Sequence, residues 1–295
     1  MKKVAILILN WNGLTDTVDC INSIIKTGYQ NCEIICLDNG SDGDEYQALV
    51  SEFGKSKQIK IFKSDVNLGF AGGCNFLVSL VNLEDYDFIL LLNNDTIIHE
   101  DFFDEMLSAN NSLKGISSLG ILVPTIYYFD KTGKTNKVWR ADDFGKVTKS
   151  IKRIKHPVGC AMLIRTSVIK QYGLFNDMFF AYGEEVEYVY RLAKKGVQVF
   201  YVPNAVIWHK VIETKDSPFK AYMTARNKWF VWKNMFFLDK LPYFIYMIFV
   251  YNPRKLLSYL SNVETLRAFV RGNRDGIAWI ILGKKPSNPF MQHEI

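Results

Sequence analysis

The sequence predicts an α/β fold: a doubly wound, mostly parallel sheet followed by a helical C-terminal extension. Two observations carry that expectation. Short continuous apolar runs alternate with amphipathic, turn-bounded segments through the first half of the chain, and beyond Phe219 only helical patterning remains.

Residues 4–9 form an unbroken apolar run, the pattern of a parallel strand covered on both faces. Residues 15–26 place Val18, Ile21, Ile24 and Ile25 at helical spacing and stop at Gly28. Strands are expected at 34–37, 59–62 and 88–92, and helices at 44–53 and 71–81. The middle is less regular, with strand-like runs at 121–129, 137–139 and 158–164 around a turn signal at 130–133. Residues 184–195 read as a helix with cationic residues in its last turn and Gly196 as its stop. Strands follow at 197–202 and 205–208.

Composition narrows the class. The chain has 295 residues, 48% hydrophobic and 22% charged, which excludes disorder, collagen-like repeats and a disulfide scaffold. The five cysteines are scattered with no Cys-x-x-Cys pair, as expected of reduced thiols in a cytosolic compartment. No signal peptide is expected, because the apolar run after Lys3 is short and ends in Asn10-Trp11-Asn12-Gly13. The stretch 241–251 is too short to span a membrane and reads as a buried core helix or an interfacial segment.

In open α/β sheets, ligands bind beyond the carboxyl ends of the strands. Four polar clusters fall there: Asn10 to Gly13, Asp38 to Asp42, the Gly-rich run Asn67 to Asn75, and Asn93-Asn94-Asp95. Singly, each could be a turn or a tight helix–strand contact. Together they describe a crevice. Asp95, past a buried strand and beside two amides, suits a divalent cation, which prefers hard oxygen ligands. Asp85 and Asp87 precede that strand, at the wrong sheet edge, and read as a solvated loop. Glu184, Glu185 and Glu187 open a helix, where acids complement the macrodipole. The aromatic run before them, Phe179-Phe180-Ala181-Tyr182, offers an apolar wall that raises a carboxyl pKa and suits a general base. Arg191, seven residues from Glu184 on one helical face, is placed to hold one of these acids. His209 follows a strand and is one candidate metal donor, though a lone His is more often structural.

In order and spacing these motifs resemble the family 2 glycosyltransferases of GT-A fold, in their bacterial rhamnosyltransferase-like branch. The likeness runs from Val4 to about Trp229 and also takes in residues 159–165, 179–191, His209 and 222–227. It implies a domain at 1–229 and a basic, aromatic helical extension at 230–295. It implies inverting transfer of a hexosyl or deoxyhexosyl group from a UDP- or dTDP-linked sugar, with Mg²⁺ or Mn²⁺, in cell-surface polysaccharide synthesis. The acceptor would be a glycan or a lipid-linked molecule. By resemblance, Asp38 contacts the nucleobase and Trp11 stacks on it, with Asn10 in the same motif. Asn67, Gly72 and Asn75 line the nucleoside, and Asp95 binds the metal with Asn94 beside it. His209 completes the metal or diphosphate site, and Arg226 and Asn227 lie near the diphosphate or the acceptor. Glu185 stands at the catalytic base, with Glu184 and Arg191 beside it. The family commonly has Asp where this chain has Glu185 and Glu187. The Gln-x-x-Arg-Trp motif of processive synthases is absent from the sequence, so transfer of one sugar is expected.

Two other classes fit parts of this pattern. A nucleotidyltransferase would carry a basic Gly-rich loop near the N-terminus, where this chain has Asn10 to Gly13. A non-catalytic nucleotide-sugar-binding protein would account for the Glu substitutions.

The net charge of +6 is unevenly placed. Residues 210–295 hold 14 basic and 6 acidic side chains, whereas residues 1–209 hold 22 and 24. This argues against a nucleic-acid partner and for an anionic membrane surface. The alternative is that the extension simply packs on the α/β domain. A peripheral position on the cytoplasmic face of the cell membrane is expected.

Overall fold

The computed structural model describes residues 2–130, 133–143, 145–210 and 217–283. The chain divides into two compact units, Met1–Phe175 with Lys195–Ile212 and Asn176–Lys194 with Glu213–Ile295. His293 and part of the 130–133 turn lie outside the described residues.

The first unit opens with β1 (Val4–Asn10), α1 (Leu14–Lys26), β2 (Cys32–Asn39), α2 (Glu45–Phe53), β3 (Ile59–Ser64), α3 (Gly69–Ser79) and β4 (Phe88–Asn93). It continues through β5 (Thr96–Ile98), α4 (Phe102–Ser112), β6 (Leu119–Asp130), β7 (Gly133–Arg140), β8 (Lys152–Ile154), β9 (Ala161–Arg165), α5 (Thr166–Tyr172) and, after an excursion into the second unit, β10 (Gln198–His209). The strands form one sheet in the order β3-β2-β1-β4-β9-β6-β10-β5, with β7 on β6 and β8 on β10.

The helical crossovers α1, α2 and α3 make β3, β2, β1 and β4 parallel, as the alternating pattern predicts. Beyond β4 the sheet is mixed. β9 runs antiparallel to both β4 and β6, and β5, β7 and β8 are antiparallel to their partners. The structure adds α4, which lies between the strands expected at 88–92 and 121–129. Val4, Ala5, Ile6 and Ile8 are fully buried, as a strand covered on both faces requires. They join Leu90, Phe102 and Met106 in the core that holds the sheet rigid.

The second unit contains α6 (Glu184–Ala193), α7 (Pro218–Asn234), α8 (Phe237–Tyr246), α9 (Asn252–Ser258) and α10 (Val263–Leu282). The expected boundary at 229/230 falls inside α7, a continuous helix capped by Ser217, whose side chain accepts from the Lys220 N–H. The units part instead around α6, which is inserted between α5 and β10 in sequence but clusters with the C-terminal helices. α10 lies against α7 through Gly272 and Gly276. A Cβ at Gly276 would come within 2.6 Å of Trp229 Cδ1 and 2.8 Å of the Arg226 carbonyl. Trp229 Nε1 donates to Asn273 and Tyr222 Oη to Asp275, which fixes the register of the two helices.

The 241–251 stretch is not a buried core helix. Leu241 is 66% and Phe249 73% exposed.

Candidate functional site

In the first unit, the carboxyl ends of β1, β2 and β4 carry the predicted clusters. Asn10 and Asp38 are cross-strand partners, and both are buried. Asn10 Nδ2 donates to Asp38 Oδ1 at 3.0 Å and to Glu45 Oε2 at 2.8 Å, while its Oδ1 accepts from Thr17 at 2.7 Å. Thr17 in turn accepts from Asn94 Nδ2 at 2.9 Å. One hydrogen-bonded chain thus runs from Asn94 to Asp38. Asn10 spends its whole amide inside the protein, so it orients Asp38 instead of facing outward. Trp11, next in sequence, is 56% exposed, an indole free to take a planar ring.

Glu45 also accepts from the Gly13 N–H, at the start of α1. A carboxylate satisfying donors at a helix N-terminus is favourable on dipole grounds. The Gly-rich loop is held differently. Asn39 Nδ2 donates to Asn67 Oδ1 and to the Gly69 carbonyl, and its Oδ1 accepts from the Leu68 N–H. Gly73, not Gly72, is the close-approach position. A Cβ at Gly73 would press on Leu9 at 2.8 Å, whereas at Gly72 it makes an ordinary contact with Leu68. Asn75 exchanges hydrogen bonds with the backbone of Phe175, at 3.0 and 3.1 Å, which ties α3 to the segment after α5.

The antiparallel β5–β10 pairing sets His209 opposite Thr96, and the Lys210 N–H donates to the Asp95 carbonyl. Asp95 Oδ1 and His209 Nε2 therefore stand 3.1 Å apart. They are not aligned as a hydrogen bond. Asp95 Oδ1 and both His209 ring nitrogens are buried with no hydrogen-bond partner. Unsatisfied buried polar atoms are costly and call for an explanation. A divalent cation provides one, because two ligands in adjacent positions at about 2.1 Å from a metal lie about 3 Å apart. Among the described residues no group of three or more His, Cys, Asp or Glu gathers around a common point. A cation held by two protein ligands would have its remaining positions open to other oxygen donors, the usual habit of Mg²⁺. Trp139, on β7, lies flat against the imidazole, with centroids 4.6 Å apart and planes at 7°, and sets the ring plane without using a nitrogen.

In the second unit, Tyr182 (φ 69°) and Gly183 (φ 95°) lead into α6. Tyr182 is strained there, because a bulky side chain rarely adopts positive φ. Asn227 holds the bend, donating to the carbonyls of Ala181 and Tyr182 at 2.8 and 2.7 Å. Arg226 is 2% exposed and donates to Asn227 Oδ1 and the Met178 carbonyl. Both residues are thus spent on the loop before the acids.

Glu184 is buried, with Oε2 unpartnered, and Glu185 Oε2 accepts from the Gly183 N–H at 3.2 Å. Burial pushes both carboxyls above the usual range, Glu184 furthest, and the neighbouring Glu185 charge raises it again. The two carboxyls are thus pushed in the same direction to different extents, Glu184 further toward its protonated form, as expected of paired acids. Arg191 Nε donates to Glu187 at 3.2 Å, so it neutralises Glu187 and not Glu184. Glu187 also accepts from Asn234.

A profile for glycosyl transferase family 2 matches residues 5–173 of this sequence. The chain belongs to that family. This glycosyltransferase is 23% identical over 261 residues to a low-salt glycan biosynthesis hexosyltransferase, Agl10, of Haloferax volcanii, covering 82% of this chain and 80% of that one. It is 23% identical over 224 residues to an N-acetylglucosaminyl-diphospho-decaprenol L-rhamnosyltransferase of Mycobacterium tuberculosis, covering 66% and 72%. Against a poly-β-1,6-N-acetyl-D-glucosamine synthase of Staphylococcus epidermidis, 23% identical over 222 residues, the match takes 72% of this chain but about half (51%) of that one. The fold is GT-A. A structure of S. aureus TarS 1–349 in complex with UDP-GlcNAc superposes with a TM-score of 0.64 at 14% identity, covering 94% of this chain and 81% of that one.

Within the glycosyltransferase, the structure joins Asn10, Asp38 and Asn94 in one network and Asp95 with His209 in another. It turns Asn75, Arg226 and Asn227 inward as supports. Sequence reasoning passes over Thr17, Asn39, Glu45 and Trp139. Asn39 adjoins Asp38 in its motif, and Glu45 reads as an ordinary first-turn acid. Thr17 and Trp139 carry no local signal.

The Glu184 carboxyl makes a prediction of its own. Its folded pKa lies above the unfolded value, so its contribution to stability is full below the ordinary carboxylate pKa and is lost as pH rises through the raised value. Glu184→Gln removes that loss. Its melting temperature should match the parent near pH 4 and exceed it increasingly toward pH 8. A difference that stays constant across thermal melts from pH 4 to 9 would refute a buried, protonated Glu184.

Proposed function

We propose that this glycosyltransferase moves a single hexosyl or deoxyhexosyl residue, with inversion, from a UDP- or dTDP-linked sugar to a hydroxyl of a lipid-linked or glycan acceptor. The carrying observation is the Asp95–His209 pair, whose buried Asp95 Oδ1 and imidazole nitrogens are unsatisfied, at the sheet edge that also bears Asp38 and Trp11. Asp38, oriented by Asn10, accepts from the nucleobase, and Trp11 stacks on it. Asp95 and His209 hold Mg²⁺ or Mn²⁺, which when bound supplies positive charge toward a diphosphate.

Glu185 removes the proton of the acceptor hydroxyl as its oxygen attacks the anomeric carbon. The bond from that carbon to the diphosphate breaks, and the electron pair leaves with the nucleoside diphosphate. Glu184, kept neutral by burial, donates to Glu185 and holds its position. Cell-surface polysaccharide assembly at the cytoplasmic face of the membrane is the setting that suits a lipid-linked acceptor. No helix among the described residues is long and apolar enough to cross a membrane, and the attachment proposed is peripheral.

The test is a panel of UDP- and dTDP-sugars with Mn²⁺, followed by product analysis. Release of nucleoside diphosphate with glycosylated acceptor is expected. Pyrophosphate release, or binding without turnover, would overturn the reading. Asp95→Ala and His209→Ala should each raise the Mn²⁺ concentration for half-maximal donor binding by about 10-fold or more. An unchanged Mn²⁺ titration in either variant removes that residue from the metal site.

A further inference from the structure

The largest unexplained feature of the molecule is an apolar surface on the second unit. α8, a π-helical segment at Met247–Tyr251 and α9 succeed one another without a break from Phe237 to Ser258. Phe237, Leu241, Ile245, Phe249, Leu257 and Leu260 are 47–85% exposed along this length. Exposed singly, such residues need no account. A continuous stripe does.

The stripe is built on a repeat of four. In a straight α-helix of 3.6 residues per turn, a four-residue repeat drifts about 40° per step and would reach the opposite side of the helix within about 20 residues. The π segment adds one residue to a turn and rotates the next stretch of helix back by about 100°. It therefore returns Leu257 and Leu260 to the side that carries Phe237 and Leu241. Pro253, which has no N–H to offer the Phe249 carbonyl, lies just beyond it. The opposite side is the packed one, with Met247 and Tyr259 buried. A rare helical form thus keeps an exposed apolar face in register.

From Leu241 to Pro253 there are thirteen residues without a charge, and Asp239-Lys240 and Arg254-Lys255 bound them. A run of that length is a core helix or an interfacial one. Exposure excludes the core. The surroundings are cationic, with Arg254 exposed on α9 and Arg267, Arg271 and Arg274 exposed on α10. Residues 217–283 contain ten basic and three acidic side chains. A second copy of this chain would bring the same cations face to face, whereas anionic lipid complements them.

We infer that the 237–260 stripe inserts in the plane of an anionic lipid bilayer, with the flanking Lys and Arg side chains among the headgroups. This deepens the membrane part of the proposed function and does not depend on its sugar chemistry.

Flotation of the whole chain with vesicles, read without turnover, tests it. The chain should bind phosphatidylglycerol–phosphatidylcholine vesicles at least about tenfold more tightly than pure phosphatidylcholine ones, with binding weakened by salt. F249D/L257D, at exposed positions, should lose about tenfold or more of that binding while circular dichroism and thermal melting stay unchanged. R254E/K255E should lower binding to anionic vesicles and leave binding to neutral ones unchanged. Absence of vesicle binding, or binding indifferent to F249D/L257D, overturns the inference. A dimer that F249D/L257D converts to monomer, with no vesicle binding by the parent, assigns the stripe to a second copy. None of these outcomes touches the transfer reading, which the donor panel decides.

Discussion

Glu185→Gln is expected to lower sugar transfer by about 10²–10⁴-fold, the usual worth of a general base. Donor binding should be unchanged in the same variant, because the residues proposed to hold the donor are Asp38, Trp11, Asp95 and His209. Calorimetric titration with nucleoside diphosphate and Mn²⁺, beside steady-state turnover, separates the two effects. The parent's pH profile carries the same signature. A base works deprotonated, and burial raises the Glu185 carboxyl, so the rate should fall on acidification with a midpoint above the ordinary carboxylate value near about 4.3. Near-normal turnover of Glu185→Gln would remove Glu185 from the chemistry. Glu184→Gln is the control that keeps a donor beside Glu185, and it should retain far more activity.

The second large effect is expected far from any reacting atom. Gly276→Leu sets a side chain where Trp229 Cδ1 and the Arg226 carbonyl lie within 2.8 Å of a Cβ, and Gly272→Leu would collide with the Tyr222 carbonyl. Overpacking costs about 1–3 kcal/mol and can cost more. Helix propensity alone predicts the opposite, a gain of about 0.8–1 kcal/mol on replacing glycine by leucine. Urea denaturation therefore decides between packing and propensity by its sign. Val270→Ala, at a half-exposed position of the same helix, should change stability by less than about 0.5 kcal/mol. Turnover should fall with the Gly276 variant as well. α7 carries Arg226 and Asn227, and these hold the strained Tyr182–Gly183 bend that presents Glu184 and Glu185. Loss of stability with unchanged turnover at low denaturant would show that the bend does not need α10 behind it.

The parallel half of the fold is legible in the sequence because each strand is a closed apolar run and each crossover an amphipathic helix. The 4–9 run becomes β1, and the 88–92 run becomes β4. The mixed half is not legible. β9 sits between β4 and β6 through pairings distant in sequence, which no local pattern records. The same divide separates the candidate site residues. Asp38, Asp95 and Glu185 stand out in the sequence as candidates because a carboxylate at a strand end or in the first turn of a helix is a local signal. Arg226 and Asn227 look like ligand-facing polar groups but are buried supports. Only the loop they hold reveals this.

By itself, then, the sequence determined the α/β class, the family, the strand-end clusters and the uneven charge of +6. Each is a matter of local periodicity or of motif order along the chain. The tertiary structure decided what depends on distance between remote residues. It brought His209 to 3.1 Å from Asp95 through the β5–β10 pairing and laid Trp139 on its ring. It gave Arg191 to Glu187, drew α6 into the helical unit, and left the 241–251 run exposed where hydropathy alone allowed a core helix. The physical reason is common to all of these. A side chain's partner and its burial are set by the other elements the fold packs around it, and a one-dimensional pattern does not contain them.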